Sequence, residues 1–235
     1  MNSQWQVDFF TSLNNAVDMQ DVLDITLKTI KPFGFEFCGW RSKLPLPLSR
    51  RKFSTLRANE DKVSAQEDNG FYDEAPVPKH CAQSTEPISW RGTTEDPTFL
   101  KAPNIIEEYY GSGHFGGWAQ SIIESKNMFS MLLVDSSVIL EQKDIDHVDL
   151  KMQFVAIAVL SKMNQFRLQP NVTLSEREKE VLRWSGDGKT GWDISQILNL
   201  SQSTINFHIR NAMFKLNAPN KTSAIVKAIY LNLLH

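Results

Sequence analysis

The side chains with the clearest chemical potential lie between residues 201 and 216. Asn206 and Arg210 project from one side of a predicted helix, while Ile205 and Ile209 begin an aliphatic stripe on the other. Amide and guanidinium groups can form paired hydrogen bonds with the edges of DNA bases. A short amphipathic helix that carries such groups outward is how a helix-turn-helix presents its reading helix to the major groove. The pattern therefore predicts direct contact with double-stranded DNA.

A second group of side chains around this helix suits the DNA backbone better than the bases. Contacts with phosphates position a protein on the duplex but do not specify sequence. Lys189, His208, Lys215 and Lys221 are assigned to this role. The full predicted DNA-contact set is Lys189, Thr190, Ser203, Thr204, Asn206, His208, Arg210, Asn211, Lys215 and Lys221.

Each helix of this C-terminal region has its own start signal. Ser175 and Glu178 match the capping box S-x-x-E, in which each side chain accepts a hydrogen bond from the other residue's backbone N–H. Thr190, Ser201 and Asn220 are expected to cap the three helices that follow. The region is thus predicted to be an all-α unit of four helices.

With these residues in place, the segment resembles the C-terminal DNA-binding domain of the LuxR family of bacterial transcription regulators. The resemblance implies binding as a homodimer to an inverted-repeat operator, with RNA polymerase as a possible further partner. The matching residues are Leu174, Arg177-Glu178, Val181-Leu182, Trp184, Gly188-Lys189-Thr190, Ile194, Ile197-Leu198, Ser201, Thr204-Ile205, His208, Asn211, Lys215-Leu216 and Asn220-Lys221.

Length and charge both favour two domains. A chain of 235 residues is long for one compact unit, so we assign residues 1–167 to a sensor and dimerisation domain, 168–172 to a linker and 173–235 to the DNA-binding domain. Residues 171–235 carry eight basic and five acidic side chains, against 17 and 22 in the remainder. The C-terminal part is therefore better suited to a polyanion.

Other features of the composition limit the setting in which the chain works. There is no run of 18 apolar residues, and the N-terminus lacks the basic and apolar regions of a signal peptide. The two cysteines, Cys38 and Cys81, indicate a reducing compartment, so we expect a cytoplasmic protein without membrane contact. No metal-ligand spacing surrounds the five histidines, and no cofactor is expected.

The N-terminal region has the pattern of a mixed α+β domain. Two amphipathic helices, a β-sheet with a crossing helix and a long final helix follow one another along the chain. The predicted helices span 4–16, 19–31, 98–111 and 141–167, and the predicted strands 35–40, 52–56, 115–123 and 127–135. Residues 57–87 are predicted to form a loop with at most short helices.

This order resembles the α-β-α sandwich of the LuxR-type autoinducer-binding domain. In the family, that domain buries one acyl-homoserine lactone and dimerises. The residues that carry the resemblance are Gly34-Phe35-Glu36-Phe37, Pro45-Leu46-Pro47, Pro87-x-x-Trp90, Gly113-x-x-x-Gly117 and Ser130-Met131.

The ligand pocket is where the sequence departs from the family. The family reads the lactone and its amide with a Trp, a Tyr four residues later, an Asp nine residues after that and a second Trp fifteen residues beyond. Counting back from Trp90 places Ala75 at the Asp position, Gln66 at the Tyr position and Lys62 at the position of the first Trp. Counting forward from Lys52 instead places Glu67 at the Tyr position and Val63 at the position of the first Trp. The pocket candidates are Gly39, Lys62, Gln66, Asp73, Ala75, Trp90, Gly117 and Ser130.

Losing these polar partners leaves a lactone head group desolvated and unpaired, so standard lactone sensing is not expected. Three alternatives stay open: a different ligand, a domain filled by its own side chains, and mixed dimers with a lactone-binding relative that make the protein an anti-activator. A rearranged pocket that still binds lactone is a further possibility. No catalytic constellation predicts an enzyme, and His114, in a glycine-rich loop, is expected to be solvated.

Overall fold

The computed structural model describes residues 4–43, 53–58, 70–125, 128–167 and 172–234. The chain divides into two compact units, Met1–Phe166 and Arg167–His235. Of the predicted linker, only Val172 belongs to the described residues. Among the described helices, none has the length and apolar character needed to cross a membrane.

A five-stranded antiparallel sheet forms the centre of the N-terminal unit. Its strands follow the order β2-β1-β5-β4-β3, and the predicted hairpin is the β4–β5 pair. The strands are β1 Phe37–Lys43, β2 Phe53–Arg57, β3 Ile88–Trp90, β4 Gly117–Ser125 and β5 Met128–Asp135.

Three helices cover one face of this sheet and build the main core. They are α1 Gln4–Asn14, α2 Met19–Ile30 and α6 Gln142–Arg167. Trp40 of β1 and Leu132 of β5 point into the layer, where they pack with Leu23 and Val155 from the helices. Successive residues of a strand face opposite sides, so the odd-numbered residues of β1 and β5 face away from this core.

The opposite face is covered by shorter helices. They are α3 Pro76–Cys81, α4 Pro97–Lys101 and α5 Pro103–Gly111. Met131 and Leu133 of β5 pack here with Val77 and Cys81. The two helical layers and the sheet make the α-β-α sandwich, as the sequence predicted.

Two local predictions were wrong. The single helix expected over 98–111 is broken in two because Pro103 follows an Ala102 that leaves the helical region, with φ −154° and ψ 65°. The strand β3 was not predicted, since three residues are too few to show an alternating pattern.

The C-terminal unit contains the four predicted helices, α7 Glu176–Gly186, α8 Gly191–Leu198, α9 Gln202–Lys215 and α10 Lys221–Tyr230. The predicted capping box of Ser175 and Glu178 is present, Thr190 forms a second one with Asp193, and Ser201 and Asn220 accept hydrogen bonds from the backbone at their helix starts. Asn199 takes the left-handed conformation, with φ 51° and ψ 48°, at the turn between α8 and α9. Local sequence signals therefore define this unit almost completely.

Candidate functional site

The helix α9 presents a polar outer face and an apolar inner face. Ser203, Asn206 and Arg210 are exposed, whereas Ile205 and Ala212 are fully buried. Ser201 fixes the start of the helix by accepting a hydrogen bond from Thr204 N at 3.1 Å. The exposed amide and guanidinium groups are therefore held on a rigid element, as base reading requires.

Not all of the predicted contact residues are equally exposed. His208, Asn211 and Lys221 are half-buried, and Lys189 is exposed just before α8. Thr190 and Thr204 take part in the hydrogen bonds of the helix starts, Thr190 with Asp193 and Thr204 with Ser201. Their hydroxyl groups thus hold the frame of the helix-turn-helix.

Lys215 has a structural partner, and its assignment as a phosphate contact stays a prediction. Its Nζ lies 2.8 Å from Glu178 Oε2, and Glu178 is itself 3% exposed. Burial alone would raise the pKa of Glu178, but the hydrogen bonds from Lys215 and from the Ser175 backbone outweigh it and lower the pKa. The pair joins the end of α9 to the start of α7, so Lys215 helps to hold these two helices together.

The second candidate site is a cavity between the sheet and the shorter helices of the N-terminal unit. Its volume is about 40 Å³, space for about three water molecules. Ligand pockets of small molecules typically measure roughly 300–1,000 Å³. Its described lining residues are Arg41, Tyr72, Ala75, Val77, Pro78, Trp90, Thr98, Ile106, Tyr109, Met131 and Leu133.

Arg41 is the one charged residue in this described lining, and sequence reasoning missed it. It is 2% exposed, and its Nη2 lies 2.6 Å from Asp73 Oδ1. Its guanidinium also lies over the ring of Phe53, 4.3 Å from the centroid. A basic residue in the middle of a buried strand was the signal that could have identified it.

This ion pair decides what Asp73 can do. Asp73 was considered as a replacement for the missing carboxylate of the family, but its Oδ1 accepts from Arg41. Ala75, in the counted position of that carboxylate, lines the cavity with a methyl group. The structure thus brings Asp73 and Ala75 to the cavity region, with the Asp73 carboxylate already paired with a guanidinium.

Trp90 and Gly117 lie together beside the cavity and serve packing. Trp90 Nε1 donates to the carbonyl oxygen of Phe115 at 2.7 Å, so the indole N–H is already used. A Cβ on Gly117 would collide with the Trp90 ring and would lie 2.7 Å from the Val134 carbonyl oxygen. The absence of a side chain at Gly117 therefore allows the Trp90 ring and the neighbouring strand to approach closely.

The remaining strand candidates divide between the two faces. Ser130 Oγ donates to Ser42 Oγ at 3.1 Å on the helix-core face, so it was wrongly assigned to the pocket, because strand side chains alternate. Gly39 lies on the cavity face, where its missing side chain is covered by Arg57, 3.4 Å from an ideal Cβ. Lys62 and Gln66 lie outside the described residues.

His114 is buried rather than solvated, contrary to expectation. Its ring packs against that of Phe37 at an interplanar angle of 36°, with 4.0 Å between ring centroids, and its Nδ1 lies 3.5 Å from Asp135 Oδ2. Tyr109 donates to the same oxygen at 2.6 Å. Neighbouring glycines therefore do not make this histidine exposed, because the carboxylate of Asp135 at the end of β5 lies opposite it.

Neither cysteine has the setting of a reactive thiol. Cys38 and Cys81 are buried, and burial raises the pKa of both thiols, that of Cys81 to about 12. Within the described ranges, no three His, Cys, Asp or Glu side chains are grouped closely enough to hold a metal ion.

Comparison with known proteins identifies both halves of the chain. Residues 172–228 match the family model of bacterial regulatory proteins of the luxR family, and residues 18–163 match the autoinducer binding domain. The chain is 33% identical to the transcriptional activator LuxR of Aliivibrio fischeri over 174 residues, 68% of each protein. It is 27% identical to the transcriptional activator AnoR of Acinetobacter nosocomialis over 98% of this chain and 99% of that protein.

Solved structures agree on the fold. SdiA of Escherichia coli superposes with a TM-score of 0.77 at 24% identity, covering 99% of this chain and 98% of SdiA. SdiA has also been solved in complex with octanoyl-rac-glycerol, with a TM-score of 0.76.

Proposed function

The chain belongs to the LuxR family of bacterial regulatory proteins, and from this premise we propose that it is a homodimeric transcription activator that reads an inverted-repeat DNA site and does not respond to standard acyl-homoserine lactones. Its relatives AnoR and LuxR are transcriptional activators, so we infer activation for this chain as well. An activator of transcription would have RNA polymerase as a partner. Since it acts on bacterial DNA, we propose that it works in the cytoplasm and has no enzymatic role.

The single observation that carries the DNA-binding arm of the proposal is the outer face of α9. Asn206 and Arg210 are exposed and carry the groups that pair with adenine and guanine edges. Lys189 is exposed at the turn before α8 and suits a phosphate. One unit reads only half a site, so a dimer with two-fold symmetry would recognise an inverted repeat.

An apolar surface of the N-terminal unit supports dimerisation. Leu150 and Ile157 of α6 are 79% and 59% exposed, on the side of the helix away from the core. Phe154 lies between them and contacts Phe10 of α1, with 5.2 Å between ring centroids. Large exposed apolar side chains that are contiguous mark a contact with another protein, here a second copy of the chain.

The cavity supports the absence of a lactone response. A lactone amide N–H needs an acceptor, but Ala75 supplies none and Asp73 accepts from Arg41. A missing charge-assisted hydrogen bond costs about 1.5–3 kcal/mol, which is one to two decades of affinity. Trp90 Nε1 donates to Phe115 instead of to a lactone carbonyl.

Two other functions follow from the same family membership. An anti-activator would form mixed dimers with a lactone-binding relative through the same α6 surface. A lactone receptor with a rearranged pocket would need Asp73 to leave Arg41. SdiA, which shares this fold, has been solved in complex with octanoyl-rac-glycerol, so a ligand other than a lactone is the alternative that we carry forward.

The test of the DNA-binding arm begins with sites selected by the protein from random-sequence DNA. We expect an inverted repeat with half-site centres about 10 base pairs apart. Arg210→Ala should reduce the affinity ratio between selected and random DNA about 10-fold or more, since one bidentate base contact contributes about 1–3 kcal/mol. Lys189→Ala should weaken binding to both DNAs equally. It should also lower, by about one, the slope of log affinity against log salt concentration.

Lys101→Ala is the control for the Lys189 variant, because it removes one exposed positive charge from the N-terminal unit. It should leave both affinities and the salt slope unchanged. Equal affinity of the wild-type protein for selected and random DNA at every salt concentration would refute the specific reader.

A further inference from the structure

We propose that the cavity of the N-terminal unit is a binding site for a small organic carboxylate, held by Arg41 in place of Asp73. This inference deepens the proposed function, on which it rests, by naming the chemical class of the ligand. The proposed ligand carries a negative charge where a lactone has a neutral, amide-bearing head group.

The first step is the charge of the cavity wall. Arg41 is the one charged side chain of the described lining, and it stands among apolar groups such as Met131 and Leu133. A buried guanidinium requires an anionic or accepting partner, and carboxylates match its planar geometry with two parallel hydrogen bonds. Arg57, 8% exposed, lies over Gly39 on the same face of the sheet and adds a second buried positive charge nearby.

The second step is the nature of the present partner. The side chain of Asp73 is 28% exposed, against 2% for Arg41, so the ion pair has one end in the wall and the other toward solvent. A ligand carboxylate that displaces Asp73 exchanges one anion for another at the same guanidinium. Such an exchange adds no uncompensated buried charge, and Asp73 can be rehydrated.

The third step is a polar group that no described residue satisfies. Thr98 is 5% exposed and lines the cavity, and its Oγ1 has no hydrogen-bond partner among the described residues. Buried hydroxyl groups are normally paired, because an unpaired one costs about 1–3 kcal/mol. The other polar lining groups differ, since Trp90 donates to Phe115 and Tyr109 to Asp135. Thr98 is therefore placed to donate to a bound oxygen.

The size and the lining define the rest of the ligand. The cavity of about 40 Å³ admits only a compact molecule. Aromatic rings of Tyr72, Trp90 and Tyr109 and the aliphatic groups of Val77 and Ile106 offer an apolar wall. A monocarboxylate with a short aliphatic body fits this space, and a longer or aromatic body requires the cavity walls to move apart.

The test uses pairs of compounds that differ only in charge. The straight-chain acids from acetate to hexanoate, with benzoate and phenylacetate, are each titrated beside the primary amide of the same skeleton into the full-length protein. Calorimetry and thermal melting should show at least one acid that binds saturably and about 10-fold or more tighter than its amide.

Three variants then assign the contact. Arg41→Met should abolish the preference for the acid. Thr98→Val keeps the shape and removes only the hydroxyl, so it should weaken binding of the acid by roughly 10-fold, and it serves as the main variant if Arg41→Met does not fold. Asp73→Asn removes the competing carboxylate and should strengthen binding of the acid.

Equal binding of acids and amides, or binding of neither, in both wild type and Asp73→Asn would overturn the proposal and leave Arg41–Asp73 as a structural pair. DNA binding is measured on the same preparations. Specific DNA binding without acid preference refutes only the ligand class, whereas acid preference without specific DNA binding refutes the regulator.

Discussion

The two units of this protein differ in the kind of contact that stabilises each of them internally. In the C-terminal unit, the defining hydrogen bonds join residues three apart, such as Ser175 with Glu178 and Thr190 with Asp193. In the N-terminal unit, the defining pair is Arg41 with Asp73, brought together from a strand and a distant loop. The DNA-reading end is therefore fixed by local chemistry, whereas the cavity depends on tertiary contacts that can be exchanged for a ligand.

The strongest test of this contrast removes a long-range ion pair, Glu178 with Lys215, among the described residues of the C-terminal unit. Glu178→Ala deletes both a capping-box acceptor and the partner of Lys215, and we expect a loss of about 2–4 kcal/mol in the free energy of unfolding of that unit. Amide exchange in increasing urea, followed by mass spectrometry, separates the two units. Helices α7–α10 should lose protection while β1 and β5 keep theirs.

Two further variants sharpen this result. Glu178→Gln keeps the capping acceptor and loses only the charge, so its effect should be smaller, about 1–2 kcal/mol. Glu180→Ala, which breaks an exposed pair with Arg177, should cost less than about 1 kcal/mol. Equal effects of Glu178→Ala and Glu180→Ala would show that the buried pair is not important.

The same carboxylate gives a dependence on pH. Although burial opposes it, hydrogen bonds lower the pKa of Glu178 below its ordinary value of 4.5. Its contribution is therefore fully present above that value and is lost as the pH falls through the lowered pKa. Acid titration of stability should be flatter in Glu178→Gln than in wild type.

A smaller effect is expected from adding a methyl group at Gly117, where the backbone approaches the Trp90 ring beside the cavity. Gly117→Ala places a methyl group against the Trp90 ring and the Val134 carbonyl, which should cost about 1–3 kcal/mol in the N-terminal unit. Gly111→Ala is the matched control, because no atom lies within 4 Å of its Cβ position. If both variants melt like the wild type, Trp90 is not packed as described.

The smallest expected effect concerns the apolar surface on α6. Leu150→Glu with Ile157→Glu should raise the dimer dissociation constant at least about 10-fold, a change of about 1.4 kcal/mol, without unfolding the domain. Val138→Glu, on an exposed apolar residue outside that helix, should leave it unchanged. Sedimentation velocity measures both, and an unaltered dimer in the double variant would place the interface elsewhere.

These differences also explain how far the sequence could lead. The helix starts at Ser175, Thr190, Ser201 and Asn220 were predicted correctly, because capping is determined by the next three residues. Ser130 was assigned to the wrong face, since a shift of one residue along a strand reverses every side chain. The pairing of Arg41 with Asp73 could not be predicted, because it depends on where a loop returns to the sheet.

The central claim is that the cavity has lost the chemistry of lactone recognition while the DNA-reading unit has kept its own. The most direct test is thermal melting with short- and long-chain acyl-homoserine lactones at micromolar concentration, at mildly acidic pH so that the lactone ring stays closed. A ligand of the folded state stabilises it by about 2.7 kcal/mol at one hundred times its dissociation constant, which is several degrees for a domain of this size. We predict no appreciable shift; a saturable shift with any lactone would contradict the account, and its loss in Trp90→Ala would locate the lactone in this cavity.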